Sequence, residues 1–325
     1  MRVLFFGTPE FAVPSLTALV GEGFEVAGVV TRPDRPVGRH RSHSEPSPVK
    51  HAAQAEDLPL FQPERPSEDG FLAQVRSLEP DVSVVVAYGH ILKPALLEAP
   101  RLGSVNVHAS LLPALRGAAP VERALLEGRT VTGISIIQMD VGVDTGAILH
   151  LVETPIAPDE TGGELRARLA EMGALALIEA LTLLEAGSAT PRPQDEAAAT
   201  DAPKLTREEE RLDWRQDAEA LARRIRAFDP KPGAWTECRG KALKLFGASK
   251  VAGGGSIESG VVASRKAGVG SAAKPGTVLA AGDLLRIAAC DGVIEVSDVQ
   301  PAGRARMPAR AFVSGRGIAV GDVLA

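Results

Sequence analysis

The sequence predicts a doubly wound, mostly parallel α/β sheet followed by a small β-barrel. Short runs of β-branched and other apolar residues alternate with helical stretches through the first half of the chain. Runs that look apolar on both faces and are joined by helices are typical of parallel strands covered by helix layers. From residue 241 onward, short strands separated by glycines follow one another, a spacing that is typical of a barrel.

The elements of the first domain follow from this alternation. Its strands are expected in "RVLFF", "FEVAGVVT", "LPLFQ", "DVSVVVAYG", "SVNVHAS" and "TGISIIQM". A helix in "PEFAVPSLTALVGEG" joins the first two strands and ends at a glycine. One long amphipathic helix is expected later, because Thr161 and Glu164 have the spacing of a capping box and Gly187 closes the pattern. Its leucines and Met172 are assigned to the core.

A polar segment rich in Pro and Ala, "GSATPRPQDEAAATDAPK", is the most linker-like part of the chain. We therefore predict a first domain at 1–188, a linker at 189–205 and a second domain at 206–325. The second domain opens with a short helix in "DAEALARRIRAF" and continues with strands in "ALKLFGA", "GTVLAA", "LLRIAAC" and "GVIEVSDVQ". Residues 251–274, rich in Gly, Ser and Ala, are expected to form a flexible excursion.

Composition excludes several classes of protein. The chain has only two cysteines, Cys238 and Cys290, without CxxC spacing, which predicts a reducing compartment with neither a disulfide framework nor a structural zinc. The apolar run at the amino terminus is too short for a signal peptide. No stretch reaches the roughly 20 apolar residues of a membrane span. These features predict a cytoplasmic protein without a membrane anchor.

The charge is distributed unevenly along the chain. Residues 204–325 contain 20 Lys and Arg against 14 Asp and Glu, a net charge of +6, whereas residues 1–203 carry −11. A basic domain attached to an acidic one indicates a polyanionic partner for the basic part.

Asn106 and His108 are the first candidates for chemistry. They lie two residues apart in a strand-like run, so their side chains are expected on the same face. An imidazole transfers protons near neutral pH, and an amide can donate to a developing oxyanion. The loop "MDVGVDTGAIL" then supplies two carboxylates, Asp140 and Asp144. In doubly wound folds ligands bind where loops converge beyond the carboxyl ends of the strands, and Asn106 and His108 lie at one such strand end.

The sequence disfavours three other kinds of site. An aspartic protease needs two carboxylates that share a proton, and the chain has one DTG sequence. Metal binding by His108 and Asp144 lacks further ligands at motif spacing. No G-x-G-x-x-G follows the first strand, which disfavours a dinucleotide cofactor.

Longer motifs carry a resemblance to a known family. The segments "NVHASLLPALRGAAPVERALLEG" and "TGISIIQMDVGVDTGAIL" resemble the folate-dependent formyltransferase family. Its Asn-x-His, Ser-Leu-Leu-Pro and distal Asp match Asn106, His108, Ser110 to Pro113, and Asp144. Segments such as "FFGTPEFAVPSL", "TRPDRPVGR" and "VQPAGRARM" extend the match along nearly the whole chain, to family members that act on aminoacyl-tRNA. The resemblance implies a Rossmann-like formyltransferase domain followed by an OB-like, tRNA-binding barrel.

The resemblance also implies an activity. It is transfer of a formyl group from 10-formyltetrahydrofolate to the α-amine of methionyl initiator tRNA, without a metal. His108 is expected to handle protons and stabilise the oxyanion, Asn106 to donate to that oxyanion, and Asp144 to orient His108. The matched loop, which is expected to contact the folate, consists of Ser110, Leu111, Leu112 and Pro113.

The resemblance implies that a polar loop from 32 to 50 contacts the tRNA, because an equivalent loop does so in the family. It is longer than a connector needs, and Arg39 falls on the family's "PVGR" motif. Arginine can hold phosphates through paired donors and stack on exposed bases. We assign tRNA binding to Arg35, Arg39 and Arg41, and expect a monomer.

Two alternatives stay open at this point. A formyltransferase for a small amine such as an amino sugar would share Asn106, His108 and Asp144 without needing a basic tRNA-binding domain. A folate- or RNA-binding protein that has lost turnover is the other alternative, and the intact set of three residues argues against it.

Overall fold

The computed structural model describes residues 1–37, 43–251 and 273–325. Contacts divide the chain into two compact units. The first unit comprises residues 1–120, 130–156 and 165–203, and the second comprises 121–129, 157–164 and 204–325. Residues 189–203, most of the predicted linker, therefore cluster with the first unit, and the short excursions 121–129 and 157–164 cluster with the second.

The first unit is built on a seven-stranded sheet. In chain order, the strands up to the end of this unit are β1 Arg2–Gly7, β2 Glu25–Val30, β3 Arg35–Val37, β4 His43–Glu45, β5 Leu60–Phe61, β6 Val82–Val86, β7 Ser104–His108, β8 Arg116–Gly117, β9 Val131–Gln138, β10 Ile148–Pro155 and β11 Asp201–Ala202. The sheet order is β10-β9-β7-β6-β1-β2-β5. The five neighbouring strands β7, β6, β1, β2 and β5 are parallel to one another, and β9 is antiparallel to both β7 and β10. The predicted doubly wound, mostly parallel sheet is confirmed.

Helices connect these strands as the sequence predicts. They are α1 Val13–Gly21, α2 Pro48–Ala55, α3 Asp69–Ser77, α4 Pro94–Leu97, α5 Pro120–Leu126 and α6 Gly162–Glu185. The capping box of α6 is present, since Glu164 accepts from the Thr161 amide (2.9 Å) and Thr161 Oγ1 accepts from the Glu164 amide (3.3 Å). Leu165, Leu169 and Leu177 of α6 are fully buried and form part of the core as expected. The assignment was wrong for Leu175 and Leu183, which are 68% and 40% exposed, and Met172 is only half-buried, because these side chains lie away from the buried stripe of the helix.

The second unit contains an antiparallel sheet. Its elements are α7 Ala218–Ala227, β12 Trp235–Cys238, β13 Lys241–Lys250, β14 Val278–Ala281, β15 Leu285–Ala288, β16 Val293–Pro301, β17 Met307–Pro308 and α8 Ala309–Ser314. The strand order is β12-β13-β16-β15-β14, with β17 added beside β16. Residues 252–272, the bulk of the predicted excursion at 251–274, lie outside the described residues.

The terminal segment 322–325 joins the two edges of this sheet. Ala325 and Glu237 of β12 exchange both main-chain hydrogen bonds (2.9 and 3.0 Å). On the other edge, the Val278 amide of β14 donates to the Asp322 carbonyl (2.8 Å), and the Leu324 amide donates to Gly276 (2.9 Å). The predicted barrel is thus closed by this segment, which satisfies the free backbone groups that edge strands otherwise expose.

An ion pair inside the second unit makes its stability depend on pH. Glu209 accepts two hydrogen bonds from Arg123 (2.6 and 3.1 Å), and this pairing lowers the pKa of Glu209 from 4.5 to about 2. A carboxyl whose pKa falls on folding stabilises the folded state above its unfolded value, and this contribution is lost as the pH falls from about 4.5 to 2. We expect Glu209→Gln to lower the free energy of unfolding by about 1 kcal/mol at pH 7 and to have little effect near pH 2. The effect at pH 7 is modest because solvent screens this partly exposed ion pair. Urea unfolding at both pH values measures the difference, and an equal loss at both would contradict it.

Among the described residues, every helix is too short or too polar to cross a membrane.

Candidate active site

The strand β7 places Asn106 and His108 on one face of the sheet. Val107 between them is buried on the opposite face, as strand alternation requires. Asn106 is half-buried, whereas His108 lies deeper and is only 5% exposed. The structure therefore places both side chains where the sequence predicts, but with the imidazole at the base of the site.

Asp144 reaches these two side chains from the loop between β9 and β10. Its Oδ1 accepts a hydrogen bond from Asn106 Nδ2 (3.2 Å), and its Oδ2 accepts one from the Gly117 amide (2.9 Å). The same Oδ2 lies 3.5 Å from His108 Nδ1. A carboxylate offers only acceptors, which suits a position ringed by N–H donors. The structure thus brings Asn106, His108 and Asp144 together.

The other ring nitrogen of His108 faces a carbonyl. His108 Nε2 lies 2.9 Å from the carbonyl oxygen of Leu115. Because a carbonyl can only accept, Nε2 carries a hydrogen and, in the neutral ring, Nδ1 carries the lone pair. The nitrogen that can take up a proton is therefore the one that faces Asp144.

The backbone at this site adopts unusual conformations. Leu115 has φ +63° and Asp144 has φ +55°. Left-handed backbone costs roughly 1 kcal/mol or more for a residue such as leucine and persists only where the surroundings enforce it. Gly117 has φ +118°, and a Cβ there would lie 2.8 Å from the Ala202 carbonyl oxygen, so this position requires glycine.

The two carboxylates of the loop have different tasks. Asp140 Oδ1 accepts from the Gly142 amide (3.0 Å) and from Thr145 Oγ1 (2.6 Å), so it holds the loop together. Asp144 is the one that faces His108. A Cβ at Gly146 would collide with the Gln138 carbonyl, which explains the glycine that closes this turn.

A segment that sequence reasoning assigned to the linker lies against the site. Arg192 and Ile148 exchange main-chain hydrogen bonds (2.8 and 2.9 Å), and β11 pairs in parallel with β8. Gln194 and Thr200 in this segment bond to the loops that carry Asp144 and Leu115. Neither residue has a motif that would have singled it out, since their partners lie far away in the sequence.

A cavity of about 710 Å³ opens beside the carboxyl ends of β1 and β2. Its lining includes Thr8, Arg32, Glu45, Ser47 and His51. This is the edge of a doubly wound sheet at which ligands bind. Among the residues that the structure describes, no group of three or more His, Cys, Asp or Glu side chains could hold a metal ion.

Comparison with known proteins identifies the family. Residues 1–181 match the family model described as formyl transferase, and residues 204–317 match the model described as formyl transferase, C-terminal domain. The chain belongs to the formyl transferase family. The chain is 46% identical over 326 residues to the methionyl-tRNA formyltransferase of Symbiobacterium thermophilum, covering 99% of this chain and 94% of that protein.

Solved structures share the fold of this formyl transferase chain at low identity. HypX from Aquifex aeolicus in complex with tetrahydrofolic acid is 19% identical, with a TM-score of 0.65 over 97% of this chain, which spans 47% of HypX. An N-formyltransferase from Helicobacter canadensis, in complex with folinic acid and dTDP-3-aminofucose, is 15% identical, with a TM-score of 0.64 over 93% of this chain and 99% of that one.

The loop that the family resemblance assigns to folate faces largely inward. Ser110 is buried and donates to the Ala114 carbonyl (2.6 Å), and Leu112 is buried against Ile137 and Ile148. The side chains of these two residues therefore shape the loop, while Leu111 and Pro113 are only half-buried. Folate contact by this loop stays a prediction.

Of the three arginines predicted to bind tRNA, one lies among the described residues. Arg39 and Arg41 lie outside the described residues, and Arg35 is the first residue of β3. Their role also stays a prediction.

Proposed function

We propose that this chain transfers a formyl group from 10-formyltetrahydrofolate to the α-amine of methionine carried by initiator tRNA. The observation that carries the proposal is its 46% identity, over nearly its full length, to a methionyl-tRNA formyltransferase. The cluster of Asn106, His108 and Asp144 supplies groups that suit acyl transfer to an amine. A cytoplasmic location and a monomeric state stay predictions.

The reaction needs a neutral amine and a place for transient negative charge. An α-amine has a pKa of about 7.7–8.0, so a modest fraction is already neutral at pH 7. One N–H of Asn106 Nδ2 donates to Asp144, and the other is directed to the oxyanion that forms as the amine attacks the formyl carbon. His108 takes up at Nδ1 the proton that the attacking amine loses, and Asp144 Oδ2, 3.5 Å away, stabilises the positive charge that the ring gains. The bond between the formyl carbon and N10 of the folate then breaks, and N10 leaves with that proton while the formyl group stays on the amine.

The formyl donor supplies the carbon that is transferred and an amine leaving group. Its pteridine and benzoyl rings need apolar contacts. Ile91 is 83% exposed, and Val141 and Val143, on the loop that carries Asp144, are 76% and 62% exposed. Apolar side chains so exposed are suited to cover an aromatic ligand. Both solved structures named above hold folate compounds, and we extend that ligand class to this chain.

The second unit is proposed as the tRNA-binding barrel. It carries the net positive charge of residues 204–325, and Arg207 and Arg211 lie 6.0 and 5.3 Å from the ring centre of Trp235. Guanidinium groups beside an aromatic ring offer both phosphate binding and stacking.

The decisive experiment is a formylation assay with purified protein, radiolabelled 10-formyltetrahydrofolate and methionyl initiator tRNA. We expect formylmethionyl-tRNA as the product. A parallel reaction with a nucleotide-linked amino sugar tests the small-amine alternative. Faster formylation of the sugar than of the tRNA would overturn the proposal.

Substitution of the predicted arginines tests tRNA binding by the first unit. We expect Arg39→Ala with Arg41→Ala to raise KM for the tRNA about tenfold. The slope of log affinity against log salt is expected to fall in magnitude by about 1–2, because fewer counterions are released when fewer phosphate contacts form. The control, Arg76→Ala with Arg101→Ala, changes the net charge equally but lies toward the amino ends of β6 and β7, away from the site. Equal changes in both double variants would contradict a specific contact.

A further inference from the structure

Gln194 binds both ends of the turn that carries Asp144. Its Nε2 donates to the Asp144 carbonyl (2.8 Å) and to the Gly146 carbonyl (2.7 Å). The two hydrogens of one amide therefore fix the backbone on both sides of Thr145. Asp144, whose carboxylate faces His108, is therefore held through its own main chain.

The orientation of the Gln194 amide is itself fixed. Its Oε1 accepts from Nε (3.0 Å) and Nη2 (2.8 Å) of Arg116, a residue that is only 8% exposed. Two further bonds of 2.8 Å join Arg116 to Glu196, and this pairing raises the pKa of Arg116 above its ordinary value. Exchanging the oxygen and nitrogen of Gln194 would turn an N–H group toward a cation and an oxygen toward two carbonyls, so one orientation is strongly favoured.

The same segment holds the group on the other side of His108. Thr200 Oγ1 accepts from the Leu115 amide (2.9 Å), and the Thr200 carbonyl accepts from the Arg116 amide (2.8 Å). These bonds support the left-handed conformation that aims the Leu115 carbonyl at His108 Nε2. Residues 194–200 thus position the acceptors that face both ring nitrogens.

We propose that Gln194 and Thr200 are positioning residues for His108, acting through Asp144 and Leu115. The inference rests on the proposed formyl transfer for its kinetic consequence. Displacing a reacting group by about 1 Å can cost about 10²-fold in rate, even when the change lies outside the reacting atoms. Supporting residues around catalytic groups are typically worth about 10–100-fold.

The test is Gln194→Glu, which keeps the side-chain length and the oxygen that Arg116 binds but offers no N–H to the two carbonyls. We expect kcat to fall about 10–100-fold, with KM for the formyl donor within threefold. The matched control is Gln62→Glu. Gln62 likewise donates two bonds, to the Arg32 carbonyl (2.9 Å) and Asp34 (2.7 Å), and accepts one from Lys50 (3.0 Å). At saturating tRNA, its kcat is expected to stay within twofold of wild type.

A second pair of variants guards against misfolding of the first. Thr200→Val removes the hydroxyl that holds Leu115, and Thr200→Ser retains it. We expect Thr200→Val to lose about tenfold or more in kcat and Thr200→Ser to recover most of it. A merely structural role would lower the melting temperature of Thr200→Val without separating the two variants in kcat.

An activity-independent measurement separates this inference from the proposed function. In protein carrying ¹⁵N-labelled histidine, the Nδ1 and Nε2 signals of His108 are expected to move in Gln194→Glu and to stay in place in Gln62→Glu. If the wild type formylates no substrate, the proposed function fails, while these signals still decide the positioning role. Unchanged His108 signals in Gln194→Glu, or a kcat within twofold of wild type, would overturn the inference.

Discussion

Replacing His108 with alanine is expected to lower kcat for formyl transfer by about 10²–10⁴-fold, with KM for both substrates changed by only a few-fold. The ring is buried, and its Nδ1 is the nitrogen that can take up a proton beside Asp144. Alanine removes that acceptor and the charge that forms on it, which matter in the transition state more than in the bound ground state. Single-turnover rates with enzyme in excess over tRNA measure this step without product release.

The control for this variant is His150→Ala. His150 is half-buried, its Nε2 lies 2.9 Å from the exposed carboxylate of Glu179, and the contacts described above for Asn106, His108 and Asp144 do not involve it. Its single-turnover rate is expected to match wild type within twofold. A His108→Ala enzyme that keeps more than a tenth of the wild-type rate, while retaining its fold by circular dichroism, would refute the assignment of proton transfer to His108.

Local signals explain how much of the fold was predictable. The parallel strands were predictable from their apolar runs, and α6 was predictable from its capping box. Both signals are carried by residues that are close together in the sequence. The strand β7 is the clearest case for the site, since alternation alone places Asn106 and His108 on one face. The association of Asp144 with them came from the family resemblance, because no local rule joins positions 38 residues apart.

The features that sequence reasoning missed depend on distant contacts. Gln194 reads as part of a polar, proline-rich linker, yet it bonds to Asp144 from 50 positions away and to Arg116 from 78. The composition of this segment is typical of a connector. Its order comes from partners far away in the sequence, which composition does not reveal. Closure of the barrel through segment 322–325 is a second example, since that segment bonds both to β12 and beside β14 without a strand-like pattern of its own.

Replacing Asp144 with asparagine is expected to lower kcat by about 10²–10⁴-fold, although the side chains have nearly the same size. The carboxylate receives N–H groups from Asn106 and Gly117 and faces His108 Nδ1. An asparagine amide can place its oxygen toward only one side, so its NH₂ group would point at a donor and the protonated ring would lose its counter-charge. Asp140→Asn is the control, because its amide oxygen can still accept from Gly142 and Thr145, and its rate is expected to stay within threefold.

The double variant His108→Ala with Asp144→Asn decides whether the two residues act as one unit. If Asp144 works by orienting His108 and stabilising its charge, removing His108 leaves Asp144 with nothing to support, and the double variant loses no more than the worse single variant. If Asp144 contacts the substrate independently, the two losses multiply instead, to about 10⁴-fold or beyond. Single-turnover rates of the four enzymes at one pH distinguish these outcomes, and multiplied losses would separate Asp144 from His108 in the mechanism.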